Sequence, residues 1–196
     1  MLYVISGKGR VGKDTSAAIL KQLLINSGDS CISIAYADFL KEILSKCFNL
    51  TKEQLYGSKK EEPIEGLLRK TDTYLESDIS WTPRELLQYI GTDVMRSIDP
   101  ECWINVVKNF VFTHNNYDNI IITDARFLNE LDWVVDYGGV HIHVRRQNSS
   151  FVGCKEHTSE NSLDSNYFYG KYYIVNNDKD LIYLKETFQK IINKEI

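Results

Sequence analysis

A chain of 196 residues, 43% apolar and 26% charged, has the size and make-up of one globular domain, or one domain with an insertion, that can bury a sizeable core. Its net charge of −4 argues against bulk binding of a nucleic-acid polymer but is compatible with a local basic pocket. No stretch reaches the length of a membrane span, and the apolar run at the start ends at Ser6 without a basic flank, so neither a membrane segment nor a signal peptide is expected. Cys31, Cys47, Cys102 and Cys154 show no C-x-x-C or metal-ligand spacing, and reduced thiols in a cytoplasm are the expectation.

The first predicted strand, 2–6, feeds a glycine-rich turn, Gly7-Lys8-Gly9-Arg10-Val11-Gly12-Lys13-Asp14-Thr15, which opens onto a helical pattern with apolar residues at 19, 20, 23 and 24. Gly7, Gly12 and Lys13 match G-x-x-x-x-G-K, the phosphate-binding loop. Such a turn aims backbone N–H groups at one point, the helix N-terminus adds partial positive charge, and Lys13 supplies a point charge. A nucleoside triphosphate is therefore the expected ligand; the bland alternative is a glycine turn capping an ordinary helix. The position after the lysine usually carries a hydroxyl for Mg²⁺. Here it is Asp14, whose carboxylate is a hard oxygen ligand able to hold Mg²⁺ directly or through water.

A second strand is predicted at 31–36, followed by a helical stripe of Leu40, Ile43, Leu44 and Cys47. The region 36–118 is mostly helical and too long for one crossover, which predicts a helical subdomain. Within it, 49–80 is charged and weakly apolar and reads as a mobile flap or peripheral helix. Thr82-Pro83-Arg84-Glu85 starts a helix: Thr82 as N-cap, Pro83 at N1 and Glu85 completing a capping box. The helix is expected to reach about Ser97, with Leu86, Leu87, Ile90, Val94 and Ile98 on one face and Arg84, Gln88 and Thr92 on another. Arg96 falls further round, still off the apolar face. Two arginines and a glutamine suit a phosphate and a base edge, although a solvated helix face would read the same way.

The third strand, 119–123, delivers Asp124 just past its end, a position that resembles that of the second acidic residue of nucleotide hydrolases and kinases, which helps to hold Mg²⁺; the bland alternative is the N-cap of the next helix. Arg126 follows and would neutralise charge on a transferring phosphoryl group. A helix with Leu128, Leu131, Val134 and Val135 comes next, then a strand at 139–145 in which His141 and His143 share a face and read as strand packing. Arg145-Arg146 open a long polar loop, 146–171, of a length usual for a functional or a disordered segment. The paired arginines suit a lid that clamps phosphates or, equally, a simple basic rim, and His157-Thr158-Ser159-Glu160 lies on the loop's far side, with Glu160 placed to orient an arginine and Ser159 to cap a helix. The last strand, 172–176, ends in Asn176-Asn177, and the C-terminal helix shows the stripe Leu181, Leu184, Phe188, Ile191 and Ile192. Strands alternating with helices predict a doubly wound α/β fold around a five-stranded parallel sheet, with ligands outside the carboxyl ends of the strands.

Together, G-K-D-T, T-P-R-E-L-L-Q-Y-I-G-T-D-V-M-R, D-P-E-C-W, T-D-A-R-F-L-N-E and H-T-S-E-N-S-L, in this order, resemble bacteriophage-type deoxynucleoside monophosphate kinases, a P-loop kinase family. The resemblance runs from residue 2 to about 184 and implies ATP- and Mg²⁺-dependent conversion of a deoxynucleoside monophosphate to its diphosphate. It implies that Gly7 to Thr15 hold the ATP phosphates, that Asn176 lies near the ATP base, and that Asp14 and Asp124 serve the metal. It further implies that Asp38, Arg84, Gln88, Arg96 and Trp103 line the monophosphate site, that Asp124, Arg126, Arg145 and Glu160 complete the cleft and lid, and that Lys13, Arg126 and Arg145 bear on the transferring group. The expected organisation is one P-loop kinase domain over 1–196, with 36–118 as the helical monophosphate-binding region and 146–171 as the lid. Expected partners are the monophosphate, with no membrane and no nucleic-acid polymer; a homodimer is left open. A phosphomevalonate kinase-like enzyme and a nucleotide sensor without turnover are the alternatives.

Overall fold

Runs of β-branched residues, stiff at χ1, settle into strands wherever both faces of a sheet can be covered. The computed structural model describes residues 1–68, 80–147, 157–163 and 168–195, without the side chains of Glu160 and Asn161. In chain order the elements are β1 (Leu2–Ser6), α1 (Lys13–Asn26), β2 (Cys31–Ile34), α2 (Tyr36–Phe48), α3 (Lys52–Tyr56), a 3₁₀ turn (Ser58–Glu61), α4 (Pro83–Gln88), a π turn (Tyr89–Val94), α5 (Met95–Ile98) and α6 (Cys102–Thr113). They continue with β3 (Asn119–Ala125), α7 (Leu128–Asp136), β4 (Val140–Arg145), α8 (Thr158–Asn161), β5 (Tyr172–Asn176) and α9 (Leu181–Ile192). The chain divides into two compact units, Met1–Tyr36 with Trp103–Ile196, and Ala37–Cys102.

The first unit holds a five-stranded parallel sheet in the order β2-β3-β1-β4-β5. The predicted α/β architecture stands. The second strand is shorter than expected, because Tyr36 already begins α2. On one face Tyr3, Ile5, Ile121, Ile142 and Val144 pack with Leu20, Leu24, Leu184 and Phe188 from α1 and α9. Phe188 is fully buried, and truncation to Ala would cost about 3–5 kcal/mol. The other face carries Leu2, Val4, Ile120 and Ile122, and α7 packs against β1 and β4. The strand order reverses at β1, which lies between β3 and β4, so a crevice opens at the carboxyl ends of these strands.

The second unit is helical among its described residues. Two capping boxes start α3 and α4. The Gln54 N–H donates to Thr51 Oγ1 (3.3 Å) and the Thr51 N–H to Gln54 Oε1 (2.9 Å). The Glu85 N–H donates to Thr82 Oγ1 (3.2 Å) and the Thr82 N–H to Glu85 Oε2 (2.9 Å), as T-P-R-E predicts. The regular helix expected to about Ser97 is instead broken by the π turn, in which the Met95 N–H reaches back to the carbonyl of Ile90. Gly91 sits in that turn, buried, where a Cβ would lie 2.5 Å from Leu40 Cδ2. Glycine there lets the Leu40 side chain of α2 approach closely, and the extra residue turns everything beyond it. A regular helix would set Arg96 about 120° round from Arg84; one extra residue cuts this to about 20° and aligns Arg96 with Arg84 and Gln88.

Four apolar stripes fray at their ends. Ile98 is 77% exposed and Leu181 64%, both at a helix terminus where no further turn covers them, and Leu128 and Cys47 are exposed as well.

Candidate active site

The turn after β1 has the backbone of a phosphate cradle. Gly7, Arg10 and Gly12 take φ of 142°, 60° and 97°. A side chain at Gly7 would strike the Val144 carbonyl oxygen, so that glycine is required by contact as well as by φ, whereas Gly12 is required by its φ and faces the Asn177 side-chain amide. Lys13 is 7% exposed, and its ammonium donates to the carbonyls of Gly7 (2.8 Å) and Lys8 (2.7 Å). The loop thus grips its own lysine and fixes the place of its charge. Gly9 and Val11 are buried, whereas Lys8, Arg10, Asp14 and Thr15 are exposed. Asn177 pins the loop from the side: its Nδ2 donates to the Val11 carbonyl (2.9 Å) and its N–H to the Arg145 carbonyl (2.8 Å).

Beside this loop lies a cleft of about 540 Å³ whose lining includes Gly7, Lys8, Val11, Arg126, His143, Arg145, Arg146, Ser159, Asn176 and Asp178. Four cations, Lys8, Arg126, Arg145 and Arg146, meet one carboxylate, Asp178, which already accepts the Gln147 N–H at 2.8 Å. A cleft so charged attracts polyanions. Of the residues expected at the donor site, the first unit brings Gly7, Lys8, Val11, Arg126, Arg145 and Asn176 to this one cleft.

Asp124 lies within β3, one residue before its end rather than just past it, and its Oδ1 accepts the N–H of Tyr36, the first residue of α2, at 2.6 Å. The carboxylate thereby answers an orphan donor at a helix start. Arg126 is set by Glu130, a buried carboxylate that accepts the N–H groups of Arg126 (2.7 Å) and Phe127 (3.1 Å). The Arg126 carbonyl accepts from Ser162 Oγ, and its guanidinium reaches the Ser159 carbonyl at 3.5 Å. Ser159 does not cap α8: His157 does, its Nδ1 accepting the Ser159 N–H at 3.2 Å and pairing with Ser159 Oγ at 2.8 Å. A ring nitrogen two residues earlier reaches the N–H groups that a hydroxyl already inside the helix cannot.

His141 and His143 are buried on one face, as read from their alternation, and both hydrogen-bond Ser6 Oγ, through Nε2 at 2.7 Å and Nδ1 at 2.8 Å. Burial, aided by His143, pushes the His141 pKa down to about 3, so this imidazole is neutral.

In the second unit, Arg84 donates from Nε to Glu61, within the charged run after α3. Asp38 lies 3.6 Å from Lys41 Nζ, which in turn sits 4.2 Å over the ring of Tyr56. Gln88 has a buried amide nitrogen without a hydrogen-bond partner among the described residues, which leaves a donor available to a bound acceptor group. Arg96 is half-buried in α5. Trp103 belongs to the first unit and is 6% exposed, in the first turn of α6 with Ile104. The Glu160 side chain, Cys154, and residues 148–156 and 164–167 of the expected lid lie outside the described residues, as do 69–79 of the expected flap.

The sequence reading missed Asn177 as a loop anchor, Glu130 as the holder of Arg126, and Ser6 as a partner of both histidines. The first two stood in quoted motifs, N-N and D-A-R-F-L-N-E, but their bonds join residues that only the fold brings together.

Residues 67–188 match the family described as deoxynucleotide monophosphate kinase. A provisionally named deoxynucleotide monophosphate kinase of Acanthamoeba polyphaga mimivirus is 30% identical over 158 residues, 74% of each chain. The unliganded structure of a sugar kinase from Janibacter sp. HTCC2649 superposes with a TM-score of 0.51 at 11% identity, covering 98% of this chain and 94% of that one, which supports the fold alone. With the family match and the mimivirus relative in agreement, the chain belongs to the deoxynucleotide monophosphate kinase family and is a nucleotide kinase.

Proposed function

We propose that the protein transfers the γ-phosphoryl group of ATP, with Mg²⁺, to a deoxynucleoside monophosphate, releasing ADP and the deoxynucleoside diphosphate. The observation that carries this reading is the gripped Lys13 beside a cleft with Arg126, Arg145 and Arg146. In it, Gly7, Lys8, Gly9, Arg10, Val11, Gly12, Lys13, Asp14 and Thr15 receive the ATP phosphates, and Asn176 lies toward the base. Asp38, Arg84, Gln88, Arg96, Trp103 and Glu160 serve the monophosphate.

An oxygen of the acceptor phosphate attacks the γ-phosphorus as the bond to the β–γ bridging oxygen breaks. The acceptor phosphate is an adequate nucleophile, so no general base is needed. The protein's work is positioning and charge stabilisation, which falls to Lys13, Arg126 and Arg145. Mg²⁺ ordinarily takes one or two carboxylates together with substrate phosphates, and the exposed carboxylate of Asp14 on the first turn of α1 and the fixed carboxylate of Asp124 suit that demand. When bound, the ion neutralises charge on the β and γ phosphates. The test is a transfer screen with ATP over the four deoxy- and four ribonucleoside monophosphates. Diphosphate formed from a deoxynucleotide is expected, and no diphosphate from any acceptor would refute the reading.

A further inference from the structure

We infer that Ser6, His141 and His143 form a hydrogen-bonded clamp that sets the phosphate loop against the cationic end of β4, with His143 as a positioning residue for the donor nucleotide. The inference rests on the reading of the cleft as the donor site. Ser6 is the last residue of β1, fully buried, and stands opposite His143 in register. The β1–β4 pairing ends at these two residues, so beyond them the ladder no longer holds the strands together. The Ser6 hydroxyl has one proton and accepts at its lone pairs, so with a ring nitrogen on either side, at 2.7 and 2.8 Å, the three groups are satisfied as a directional chain. Phe168 packs on both rings, 4.6 Å from His141 and 4.9 Å from His143.

Polar groups here replace the aliphatic residues found elsewhere on this face, Val4, Ile120 and Ile122, and a buried polar cluster is costly unless complete. The location supplies its use. The residue after Ser6 is Gly7, whose carbonyl holds the Lys13 ammonium. The residue after His143 is Val144, whose carbonyl lies against Gly7, and then comes Arg145. One side-chain bond therefore joins the root of the loop to the strand end that carries a cleft arginine, and His143 itself lines the cleft.

The two histidines use different nitrogens, which gives an isosteric test. An Asn amide reaches the place of Nδ1 and a Gln amide the place of Nε2. Calorimetric titration of the full chain with ATP, and separately with inorganic tripolyphosphate, should find His143→Asn close to wild type and His143→Gln weakened roughly tenfold, the scale of one lost positioning bond. At position 141 the order reverses: Gln retains affinity and Asn loses it. Ser6→Ala should weaken both probes while Ser6→Thr, which keeps the hydroxyl, does not. Thermal melting run alongside gives a separate readout: the affinity order must persist among variants of equal melting temperature. If Asn and Gln behave alike at both positions while wild type binds the probes, the clamp is overturned and the donor-site reading survives. If wild type binds neither probe, both fall.

Discussion

The phosphate cleft of the first unit and the helical run 83–98 of the second are built in opposite ways. In the cleft, each hold joins a side chain to main chain: Lys13 rests on two loop carbonyls, the Asn177 amide pins the Val11 carbonyl, and the Glu130 carboxylate holds the Arg126 N–H. In the helical run, side chains are held by side chains or left with a donor to satisfy: Arg84 pairs with Glu61, and the Gln88 amide nitrogen is buried without a partner among the described residues. A loop fixed through its main chain is preorganised for any polyphosphate, because every such ligand offers the same oxygens. A site formed by side chains is adjustable and suits the part of the reaction where acceptors differ. On the proposed function, the donor side is fixed by the fold, and the acceptor side rests on residues such as Arg84 and Gln88 that lie outside the sheet.

The largest effect that would break this contrast is expected at the loop. Lys13→Ala should lower kcat by about 10²–10³-fold while leaving far-ultraviolet circular dichroism unchanged, because one preorganised charge is lost and the sheet is not. Activity within a few-fold of wild type would place the chemistry elsewhere.

Next comes pH. The folded His141 titrates at about 3, far below the ordinary imidazole value of about 6.5. Within that window the unfolded chain binds a proton that the folded chain refuses, so stability declines as pH is lowered from 6.5 toward 3, by up to about 1.4 kcal/mol per pH unit. His141→Gln removes the titration and keeps an amide at the Nε2 position. Its denaturant midpoint should therefore fall less steeply below pH 6.5 than that of wild type; parallel slopes would mean that His141 is not the group responsible.

A smaller effect sharpens the account of the helical run. Gly91→Ala places a methyl against the Leu40 side chain and should cost about 1–3 kcal/mol, read as a lower urea midpoint. Because Leu40 is a flexible side chain, the lower end of that range is expected. An unchanged midpoint would show that the π turn does not depend on close approach there.

The contrast also governs what the sequence reveals. The strands were legible to within one or two residues because β-branched runs such as Ile120-Ile121-Ile122 have no competing period, and the loop was legible because its glycines and lysine are adjacent in the chain. T-P-R-E announced the start of α4 because a capping box is local. The π turn was not legible: a single extra residue at Gly91 leaves the composition of the helix unchanged and alters only its phase. Equally hidden were the bonds between Ser6 and two histidines more than 130 residues away, and the seating of Asp124 on the first N–H of α2, since these exist only once parallel strands are in register.

The central claim, within the proposed function, is a division of labour between loop and cleft residues that meet the donor and Arg84, Gln88 and Arg96, which with Trp103 and Glu160 meet the acceptor. It is tested most directly by steady-state kinetics of Arg145→Ala and Arg84→Ala side by side, each with ATP and with the preferred deoxynucleoside monophosphate varied in turn. A lost charge-assisted contact is worth about 1.5–3 kcal/mol, roughly tenfold or more. The account predicts a crossing: Arg145→Ala raises the KM for ATP and spares that for the monophosphate, and Arg84→Ala does the reverse. Both variants raising the same KM, or each raising both equally, would contradict it.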